Sequence, residues 1–425
     1  MKIKELHARF LECSSASTDT RKITPNAMFF ALKGENFNGN TYAEQAIKQG
    51  AKYVVIDEKE YMHSSKTILV SNVLETLQQL ATFHREYLKT PIIALTGSNG
   101  KTTTKELINA VLSKKYKTSA TKGNLNNHIG VPLTLLSMTK ETELGIVEMG
   151  ANHQKEIEFL SNIVKPDYGL ITNYGKAHLE GFGGVEGIIK GKSELYTHLI
   201  EYDKLAFING LDPIQIEKSK KAKTYKFGNT SDFDVEIHFI EAQPYVFINY
   251  QNQIIKSQLI GSYNFTNIAI AITIGAFFKV QLRDIKEGIE SYVPSNNRSQ
   301  VLIKASNKII LDAYNANPTS MKAALENFEK QSGDKIAILG DMFELGEDAP
   351  KEHQYIADLA SKMPFNQIVL IGSNFYKIKA QSENTTKFES FEDFKANFLL
   401  SNIKNSTLLI KGSRGMALER IMDIL

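Results

Sequence analysis

The chain has 425 residues, of which 42% are hydrophobic and 23% are charged, and its formal net charge at pH 7 is +3. This composition is typical of a soluble globular protein, and the length suits three domains of ordinary size. The small net charge, with Lys and Arg scattered along the chain, gives no electrostatic footprint for nucleic acid.

The N-terminal residues 1–10 mix charged and apolar side chains and lack the apolar run of a signal peptide. Cys13 is the single cysteine, which excludes an intrachain disulfide and a cluster of thiolate ligands. No stretch approaches the roughly 20 apolar residues that a membrane helix requires. We therefore expect a cytoplasmic protein without membrane insertion.

Short apolar runs separated by helix-like stretches characterise the first part of the chain. The runs are residues 27–32, 53–56 and 67–70. Residues 74–88 favour a helix, which leads to a plausible boundary at Pro91. We predict a small α/β domain over residues 1–88.

The second part of the chain, residues 89–296, alternates apolar runs with helical segments. The apolar runs are residues 92–95, 144–147, 168–171 and 205–208. The first run is followed by a helical stretch at 102–112, and this alternation predicts βαβ units around a mostly parallel sheet. Residues 232–259 alternate apolar and polar side chains and predict antiparallel strands. Residues 264–278 predict a buried helix.

The third part, residues 297–425, repeats the alternation of strands and helices. Its strand-like runs are residues 308–311, 336–339, 368–371 and 408–410. They predict a second, open α/β sheet. Residues 416–425 favour an amphipathic helix at the end of the chain.

The strongest local signal is the segment Thr96-Gly-Ser-Asn-Gly-Lys-Thr-Thr-Thr104 between a predicted strand and a predicted helix. Glycines allow backbone N–H groups to converge on phosphate oxygens, and the helix N-terminus adds a favourable dipole. In such a loop Lys101 bridges the β- and γ-phosphates, and the Thr102 hydroxyl ligates Mg²⁺. Gly97 and Gly100 are separated by two residues, whereas the usual Walker pattern has four. The segment predicts a nucleotide-phosphate site.

A metal ion at this loop needs oxygen ligands beyond one hydroxyl. Glu148 supplies a carboxylate at the end of the predicted strand 144–147. The carboxyl end of that strand is the edge at which the loop also lies. We therefore predict that Glu148 faces the loop.

Motifs in a fixed order along nearly the whole chain resemble those of the Mur ligases. Besides the phosphate loop they are Thr121-Lys-Gly-Asn-Leu-Asn-Asn-His-Ile-Gly-Val-Pro132, Glu148-Met-Gly-Ala-Asn152, Thr172-Asn-Tyr-Gly-Lys-Ala-His-Leu-Glu180, Asp312-Ala-Tyr-Asn-Ala-Asn-Pro318, Leu339-Gly-Asp-Met-Phe-Glu-Leu-Gly346 and Lys411-Gly-Ser-Arg-Gly-Met416. The resemblance implies an α/β protein with a uridine-nucleotide domain, a central P-loop domain with a mostly parallel sheet, and a C-terminal Rossmann-like domain.

The resemblance also implies an ATP-dependent ligase that activates a carboxylate as an acyl phosphate and joins it to an amine in bacterial cell-wall precursor synthesis. The motifs at 121–132 and 312–318 favour the reaction of UDP-N-acetylmuramoyl-tripeptide with D-alanyl-D-alanine, which yields the pentapeptide precursor, ADP and phosphate. The implied cofactors are ATP and two Mg²⁺ ions. We expect a monomer.

The implied catalytic residues are Lys101, Glu148, His178 and Lys192. Thr102 and Glu148 are the implied ligands of one Mg²⁺, and His178 and Lys192 those of the second. An ammonium group cannot ligate a cation, but Lys192-Ser-Glu194 has the Lys-x-Glu form in which the family's lysine carries CO₂ as a carbamate.

The remaining implied residues bind ATP or the substrates. The ATP-binding set is Gly97, Ser98, Asn99, Gly100, Lys101, Thr102, Thr103, Asn264, Asn267, Arg298 and Asp312. The substrate-binding set is Thr20, Arg21, Asn124, Asn127, Asn315, Asn317, Lys411 and Arg414. For the last four a structural capping or loop role is the alternative.

The chain departs from the family's usual pattern at several positions. Asn26 and Lys155 stand where glycine is usual, and Tyr263 where histidine is common. Asn38-Gly-Asn40 replaces the usual Asp-Gly-His. We expect these departures to change local loops and single ligand contacts.

Two other functions compete with this interpretation. A sister Mur ligase adds the third amino acid of the peptide, but its Asp-Asn-Pro-Arg specificity motif does not occur in residues 297–425. A P-loop kinase or ATP-regulated binding protein would account for the loop, but not for His178, Lys192 and the motifs that follow.

Overall fold

The computed structural model describes residues 2–379, 382–400 and 403–425, and in this part of the chain three large β-sheets follow one another. They contain four, nine and six strands, and helices connect most of the strands. Among the helices of these residues, none is long and apolar enough to cross a bilayer.

The first sheet contains four parallel strands. Its region comprises α1 (Ile3–Phe10), β1 (Ala16–Ser17), β2 (Met28–Phe30), β3 (Lys33–Gly34), β4 (Phe37–Asn38), α2 (Ala43–Lys48), β5 (Tyr53–Ile56), β6 (Thr67–Leu69) and α3 (Val73–Leu88). The strand order is β1-β2-β5-β6, and β3 pairs with β4 as a separate hairpin. The predicted strands and the helix before Pro91 are confirmed. That helix begins where the Asn72 side chain accepts a hydrogen bond from the Glu75 N–H.

A buried histidine pair joins α1 to α3. His7 Nε2 lies 3.0 Å from His84 Nδ1, and His84 Nε2 lies 3.0 Å from the Met138 carbonyl oxygen. Because a carbonyl only accepts, His84 donates through Nε2 and accepts at Nδ1, which requires a neutral ring. Burial lowers the pKa of His84 and, with the neighbouring His84 ring adding to the effect, lowers the pKa of His7 to about 4.

Because of this histidine pair, we expect the stability of the folded protein to fall at acidic pH. The pKa of His7 lies below its unfolded value of 6.5, so the unfolded chain binds the proton first. The stabilisation is complete above pH 6.5 and is lost as the pH falls toward about 4. We expect the thermal unfolding temperature to fall between pH 7 and pH 5 more steeply for the wild type than for His7→Gln, whose amide donates to His84 without titrating. Circular dichroism melts measure this, with the exposed His238→Gln as the control. Equal slopes for all three proteins would contradict the prediction.

The second sheet has nine strands and carries the glycine-rich loop. Its region comprises β7 (Ile92–Thr96), α4 (Lys101–Leu112), β8 (Thr118–Ala120), α5 (Gly130–Leu136), β9 (Leu144–Glu148), α6 (Glu156–Val164), β10 (Tyr168–Ile171), α7 (Leu179–Phe182), α8 (Val185–Glu201), β11 (Leu205–Asn209), α9 (Pro213–Ser219), β12 (Lys223–Gly228), β13 (Val235–Glu241), β14 (Phe247–Tyr250), β15 (Gln253–Lys256), α10 (Asn264–Phe277) and α11 (Leu282–Glu290). The strand order is β15-β14-β13-β12-β11-β10-β7-β9-β8. Strands β7 to β13 pair in parallel, and β13, β14 and β15 pair antiparallel. The mostly parallel sheet, its antiparallel addition and the buried helix after it are confirmed.

The order of the strands around β7 determines where a ligand fits. β7 lies between β9 and β10, so the connections on its two sides diverge at its carboxyl end. Such a switch point in a parallel sheet leaves a crevice beyond the strand ends. β7 ends at Thr96, directly before the glycine-rich loop, and β9 ends at Glu148.

The third sheet contains six strands. Its region comprises β16 (Gln300–Lys304), β17 (Asn307–Asp312), α12 (Pro318–Glu329), β18 (Asp334–Gly340), α13 (Ala349–Ser361), β19 (Gln367–Ile371), α14 (Ser373–Lys377), β20 (Thr385–Phe388), α15 (Phe391–Asn397) and β21 (Ser406–Lys411). The strand order is β16-β17-β21-β18-β19-β20, and only the β16–β17 pair among these is antiparallel. The predicted second α/β sheet is confirmed. The carboxyl ends of β17 and β21 place Asp312 and Lys411 at one edge.

The amphipathic α-helix predicted at 416–425 is wrong. The chain instead forms 3₁₀ turns at Arg414–Met416 and Leu418–Asp423, separated by Ala417 with φ +48°. Leu418 and Ile421 are both buried and three residues apart, and a 3₁₀ helix places such a pair on one side. A short 3₁₀ turn therefore suffices to cover the sheet.

Candidate active site

A cavity of about 620 Å³ lies between the carboxyl edge of the second sheet and residues of the third sheet. Most of the predicted site residues are on its wall. They are Ser98, Asn99, Gly100, Lys101, Thr102, Thr103, Asn124, Asn127, Glu148, His178, Asn264, Asn267, Arg298, Asp312, Asn315, Asn317 and Lys411. The predicted residues that do not line it are Thr20, Arg21, Gly97, Lys192 and Arg414.

The glycine-rich loop turns directly into α4. Gly97 has φ +141° and Gly100 has φ +78°, and a Cβ at these positions would lie 2.0 Å from Thr172 Oγ1 and 2.6 Å from Asn267 Oδ1. Both positions therefore require glycine. Lys101 begins the helix, and its Nζ donates to the carbonyl oxygens of Gly97 (2.7 Å) and Ser98 (3.2 Å). Burial lowers the pKa of Lys101, while the Glu148 carboxylate opposes the shift.

Glu148 forms a small acidic centre beside the loop. The Thr102 hydroxyl donates to Glu148 Oε2 at 2.9 Å, and the Asn126 amide donates to Oε1 at 2.8 Å. Glu148 is only 1% exposed, and these two partners are neutral. A buried carboxylate next to a hydroxyl oxygen is a donor set suited to a hard cation such as Mg²⁺. Asn126 was missed by the sequence reasoning, although it lies within the motif at 121–132.

Two residues after β10 hold the loop in place. The Thr172 hydroxyl donates to the Asn99 carbonyl oxygen at 2.6 Å, and the Asn173 amide donates to the same oxygen at 3.0 Å. Asn173 also accepts from the Asn99 N–H, and its own carbonyl accepts from the Ser98 N–H. Thr172 and Asn173 begin the motif at 172–180, but they were not among the predicted site residues.

Asn264 and Asn267 lie at the start of α10 and are both buried. The Asn264 amide donates to the Ile260 carbonyl, and the Asn267 amide donates to Asn264 Oδ1. The Thr104 hydroxyl donates to Asn267 Oδ1 at 3.1 Å. These bonds use one hydrogen of each amide, so each keeps one N–H for a ligand.

Lys192 is fully buried on α8. Its Nζ donates to the Ala151 carbonyl oxygen at 2.9 Å and lies 4.6 Å from the centre of the Phe182 ring. Burial, followed by the nearby Lys101 charge, lowers the pKa of Lys192 well below its ordinary value. Lys192 is therefore held behind the cavity wall, since Ala151 lines the cavity and Lys192 does not.

His178 lies on the cavity wall directly before α7, with φ +54°. Its Nδ1 atom contacts the Glu344 carboxylate from the loop after β18. This contact and the hydrogen bond from the Asn317 amide to Asn99 Oδ1 (2.7 Å) join the second sheet to the third.

The third sheet contributes a charged group to the cavity. Lys411 is 2% exposed, and its Nζ donates to Asp312 Oδ2 at 2.6 Å and to the Asn315 carbonyl at 3.2 Å. Asp312 Oδ1 accepts from the Ser299 N–H. The Arg298 guanidinium lies 3.5 Å from the centre of the Tyr314 ring, a cation–π arrangement. Lys411 thus fixes Asp312 and the turn after β17, and both Lys411 and Arg298 line the cavity.

The other predicted substrate residues have clear structural contacts. Asn317 caps α12, since its Oδ1 accepts from the Ser320 N–H, and Asn127 Oδ1 accepts from the N–H groups of Ile129 and Gly130. Arg414 is exposed and pairs with Glu419. These contacts use the side-chain oxygens of Asn317 and Asn127, and the Asn317 amide in turn donates to Asn99 Oδ1.

The predicted uridine-nucleotide residues lie on the first sheet's region, away from the cavity. Thr20 and Arg21 belong to a single 3₁₀ turn at Thr20–Lys22. Arg21 donates to both carboxylate oxygens of Asp19 and holds the pKa of Asp19 at about 2. Arg21 and Asp19 thus form an ion pair in which the Arg21 side chain is exposed to solvent.

The departures from the family pattern have local explanations. Asn26 and Lys155 have φ +64° and +72°, so both keep the left-handed conformation that glycine adopts most easily. The Tyr263 hydroxyl lies 2.9 Å from Ser299 Oγ, and burial raises the pKa of Tyr263. Asn40 is fully buried and donates to Asp57 Oδ1 at 2.9 Å. The changed side chains are integrated into the fold.

Comparison with known proteins gives a consistent result along the chain. Family models match in three consecutive segments: the Mur ligase family catalytic domain at residues 13–89, the Mur ligase middle domain at 95–275 and the Mur ligase glutamate ligase domain at 297–414. The UDP-N-acetylmuramoyl-tripeptide–D-alanyl-D-alanine ligase of Bacillus subtilis (strain 168) is 35% identical over 423 residues, covering 96% of this chain and 92% of that protein.

Solved structures agree with this. The crystal structure of MurF from Acinetobacter baumannii superposes with a TM-score of 0.88 at 31% identity and covers 100% of this chain and 98% of that one. MurF ligase from Thermotoga maritima in complex with ADP gives a TM-score of 0.83 at 25% identity, covering 98% and 97%.

Proposed function

The chain belongs to the Mur ligase family, and from this premise we propose that it joins D-alanyl-D-alanine to UDP-N-acetylmuramoyl-tripeptide with consumption of ATP. The products are the UDP-linked pentapeptide precursor, ADP and phosphate. The full-length similarity to ligases named for this reaction supports the proposal. The observation that carries it is the single cavity wall that combines the phosphate loop, Glu148 and His178 with Arg298 and Asp312 of the third sheet.

The first step transfers the γ-phosphoryl group of ATP to the substrate carboxylate and builds negative charge on the phosphoryl oxygens. The loop N–H groups, the N-terminus of α4 and the Lys101 ammonium face this charge. Lys101 reaches the phosphates by exchanging its bonds to the Gly97 and Ser98 carbonyls for bonds to phosphate oxygens. Thr172 and Asn173 keep the loop backbone fixed during the exchange.

The second step is attack of the dipeptide amine on the acyl phosphate, which forms the amide and releases phosphate. An acyl phosphate hydrolyses in water, so the site has to exclude solvent. Arg298, Asn317 and Tyr314, from the region of the third sheet, belong to the wall of the cavity that also contains the phosphate loop. We propose that this wall covers the intermediate and orients the amine.

We propose that two Mg²⁺ ions bind, one in the cavity and one at its wall. Thr102 and Glu148 would hold the first ion, and their buried oxygen atoms fit a hard cation. His178 and a carbamylated Lys192 would hold the second. The carbamate fits because only a neutral amine adds CO₂, and burial lowers the pKa of Lys192 toward the neutral form. Bound Mg²⁺ supplies positive charge against the phosphate and acyl-phosphate oxygens.

We also propose that three domains have different binding roles. Residues 1–88 would bind the uridine nucleotide, with Thr20 and Arg21 among its contacts. Residues 89–296 would bind ATP, with Asn264 and Asn267 at the adenine. Residues 297–425 would complete the ligase site, with Arg298 and Asp312 at the nucleotide. Asn124, Asn127, Asn315, Asn317, Lys411 and Arg414 remain candidate substrate contacts under this proposal.

The proposed reaction predicts a dependence of ATP hydrolysis on both acceptor substrates. We expect rapid phosphate release when UDP-N-acetylmuramoyl-tripeptide and D-alanyl-D-alanine are present together, and little release with either one alone. The physical reason is that the acyl phosphate turns over only when the amine attacks it. A coupled phosphate assay measures this, and mass spectrometry checks for the pentapeptide product. Phosphate release that ignores the dipeptide would contradict the ligase function and favour a kinase or simple ATPase.

A further inference from the structure

The loop after β18 reaches across to the second sheet and meets the segment that contains His178. The Glu344 carboxylate contacts His178 Nδ1, and the Glu344 carbonyl accepts from the Glu180 N–H at 3.5 Å. Within the described residues, His178 Nδ1 is buried and has no hydrogen bond of regular geometry, so the contacting Glu344 carboxylate is the group placed to accept its proton; the two side chains are 19% and 51% exposed. Glu344 therefore contacts this segment twice, through its side chain at His178 and through its backbone carbonyl at Glu180.

The Glu344 loop is held firmly by its own sheet. Asp341 accepts from the N–H groups of Asn374 and Phe375, each at 2.9 Å. The Met342 N–H donates to His353 Nε2 at 3.0 Å, and the Phe343 N–H donates to Ser413 Oγ at 2.9 Å. Three consecutive residues before Glu344 are thus fixed, which directs Glu344 toward His178.

Both members of the contact have an unfavourable backbone conformation. His178 has φ +54° and Glu344 has φ +60°, and neither is glycine. A non-glycine residue in this region is destabilised by contact of its Cβ with the backbone, and such conformations are concentrated at functional sites. Two strained residues that face one another across two sheets suggest that the contact serves a purpose beyond packing.

The chemistry of a metal-bound histidine suggests that purpose. An imidazole ligates a metal through one nitrogen, and its other nitrogen usually donates its proton to a carboxylate, which fixes the tautomer and the ring orientation. With Glu344 at Nδ1, the proton sits on Nδ1 and the lone pair of Nε2 is left for a cation. Without Glu344 the two neutral tautomers of His178 compete.

We propose that Glu344 is a positioning residue that holds His178 in the Nδ1–H tautomer and thereby presents Nε2 to a divalent cation. This rests on the proposed function, in which His178 is a Mg²⁺ ligand. Because Glu344 follows β18 and His178 follows β10, the ring is oriented only while the second and third sheets are docked. Completion of the second metal site is therefore coupled to the docking of the two sheets.

Neighbouring contacts define the docked state. The Lys176 N–H donates to Thr319 Oγ1 at 2.9 Å, and Lys176 Nζ donates to Glu352 Oε1 at 2.7 Å. Two residues along the chain from Lys176, His178 meets Glu344. The segment between β10 and α7 thus contacts the region of the third sheet through Lys176 and His178.

The first test measures the tautomer in the full-length protein without metal, by NMR of ¹⁵N-labelled histidine rings. The signal of His178 is assigned by its loss in His178→Gln. We expect the Nδ1–H form in the wild type and in Glu344→Gln, whose amide oxygen still accepts the proton. We expect loss of that preference in Glu344→Ala and no change in Glu347→Ala, an exposed glutamate of the same loop. A His178 ring with the same tautomer in Glu344→Ala as in the wild type would overturn the proposal.

The second test uses Mn²⁺ as the probe, titrated into the full chain with ADP and bicarbonate and followed by electron paramagnetic resonance. We expect Glu344→Ala to weaken one class of Mn²⁺ site by about 10- to 100-fold and Glu344→Gln to weaken it less. Unaltered Mn²⁺ affinity in Glu344→Ala, beside a wild type that ligates its substrates normally, would overturn the positioning role and leave the ligase function intact. A wild type that fails the two-substrate phosphate assay would instead refute the ligase function, and the tautomer comparison still decides the role of Glu344.

Discussion

Replacement of Lys101 by alanine is expected to lower kcat for pentapeptide formation by at least about 100-fold, the effect of removing one preorganised donor from a developing anion. Lys101 is the first residue of α4, and its ammonium donates to the carbonyl oxygens of Gly97 and Ser98 in the loop that is proposed to bind the phosphates. Its charge is most valuable in the transition state, when the phosphoryl oxygens become more negative. The loss should therefore fall on kcat more than on the KM for ATP.

The matched control for this variant is Lys114→Ala. Lys114 follows the same helix, pairs with Glu287 at the surface and does not line the cavity. Steady-state kinetics of phosphate release with both substrates, together with thermal melts, separate a catalytic loss from misfolding. Full-speed ligation by Lys101→Ala would contradict the assignment of the phosphate loop.

The parts of the fold that depend on residues close together in the chain could be predicted from the sequence. The strand at 92–96, its glycine loop and the helix at 101–112 form one continuous pattern, since glycine, strand and helix signals all lie within about twenty residues. The placement of Glu148 beside the loop follows from the parallel pairing of β7 with β9. Local pattern and sheet geometry together thus predicted the first half of the site.

The contacts between sheets could not be predicted in this way. The bond from Asn317 to Asn99 and the contact of Glu344 with His178 connect residues far apart in the chain. They depend on how the second and third sheets dock against each other, and the spacing of apolar residues along the chain does not indicate this. The bond from Lys411 to Asp312 shows the same limit, because it joins two motifs that only the pairing of β17 with β21 brings together.

Backbone conformation was a second source of difference. The C-terminal segment has helical spacing of apolar residues, but Ala417 in the left-handed region divides it into 3₁₀ turns. Apolar residues three apart satisfy both an α-helix and a 3₁₀ helix, so the pattern alone does not separate them. At Asn26 and Lys155, by contrast, the family's usual glycine correctly indicates a left-handed position that the present side chains tolerate.

The second large effect is expected at Lys192. In the proposed carbamylation, the neutral Nζ would add to the carbon of CO₂ and a proton would pass to solvent, which would convert a buried amine into an anion with two oxygens. Lys192→Ala removes that anion, and we expect a loss in kcat of at least about 100-fold, similar to the loss of another group that stabilises charge in the site. Lys190→Ala is the control, because Lys190 lies on the same helix and is exposed. An unimpaired Lys192→Ala enzyme would remove the carbamate from the proposal.

Chemical rescue distinguishes a missing anion from a damaged helix. Lys192 is fully buried beside Phe182, and its Nζ contacts the carbonyl of Ala151, which lines the active-site cavity, so the alanine variant would leave a narrow space next to that cavity. Formate or acetate would fill that space and return a carboxylate close to the position of the carbamate, and we expect part of the activity to return as their concentration rises. Bulkier acids of the same charge should rescue less, because the space left by one lysine side chain limits what enters. The salts should leave Lys190→Ala unchanged, since that variant lacks the space. Rescue that depends on the size of the acid therefore reports an anion at this position, whereas a merely structural role for Lys192 predicts no response to carboxylates of any size.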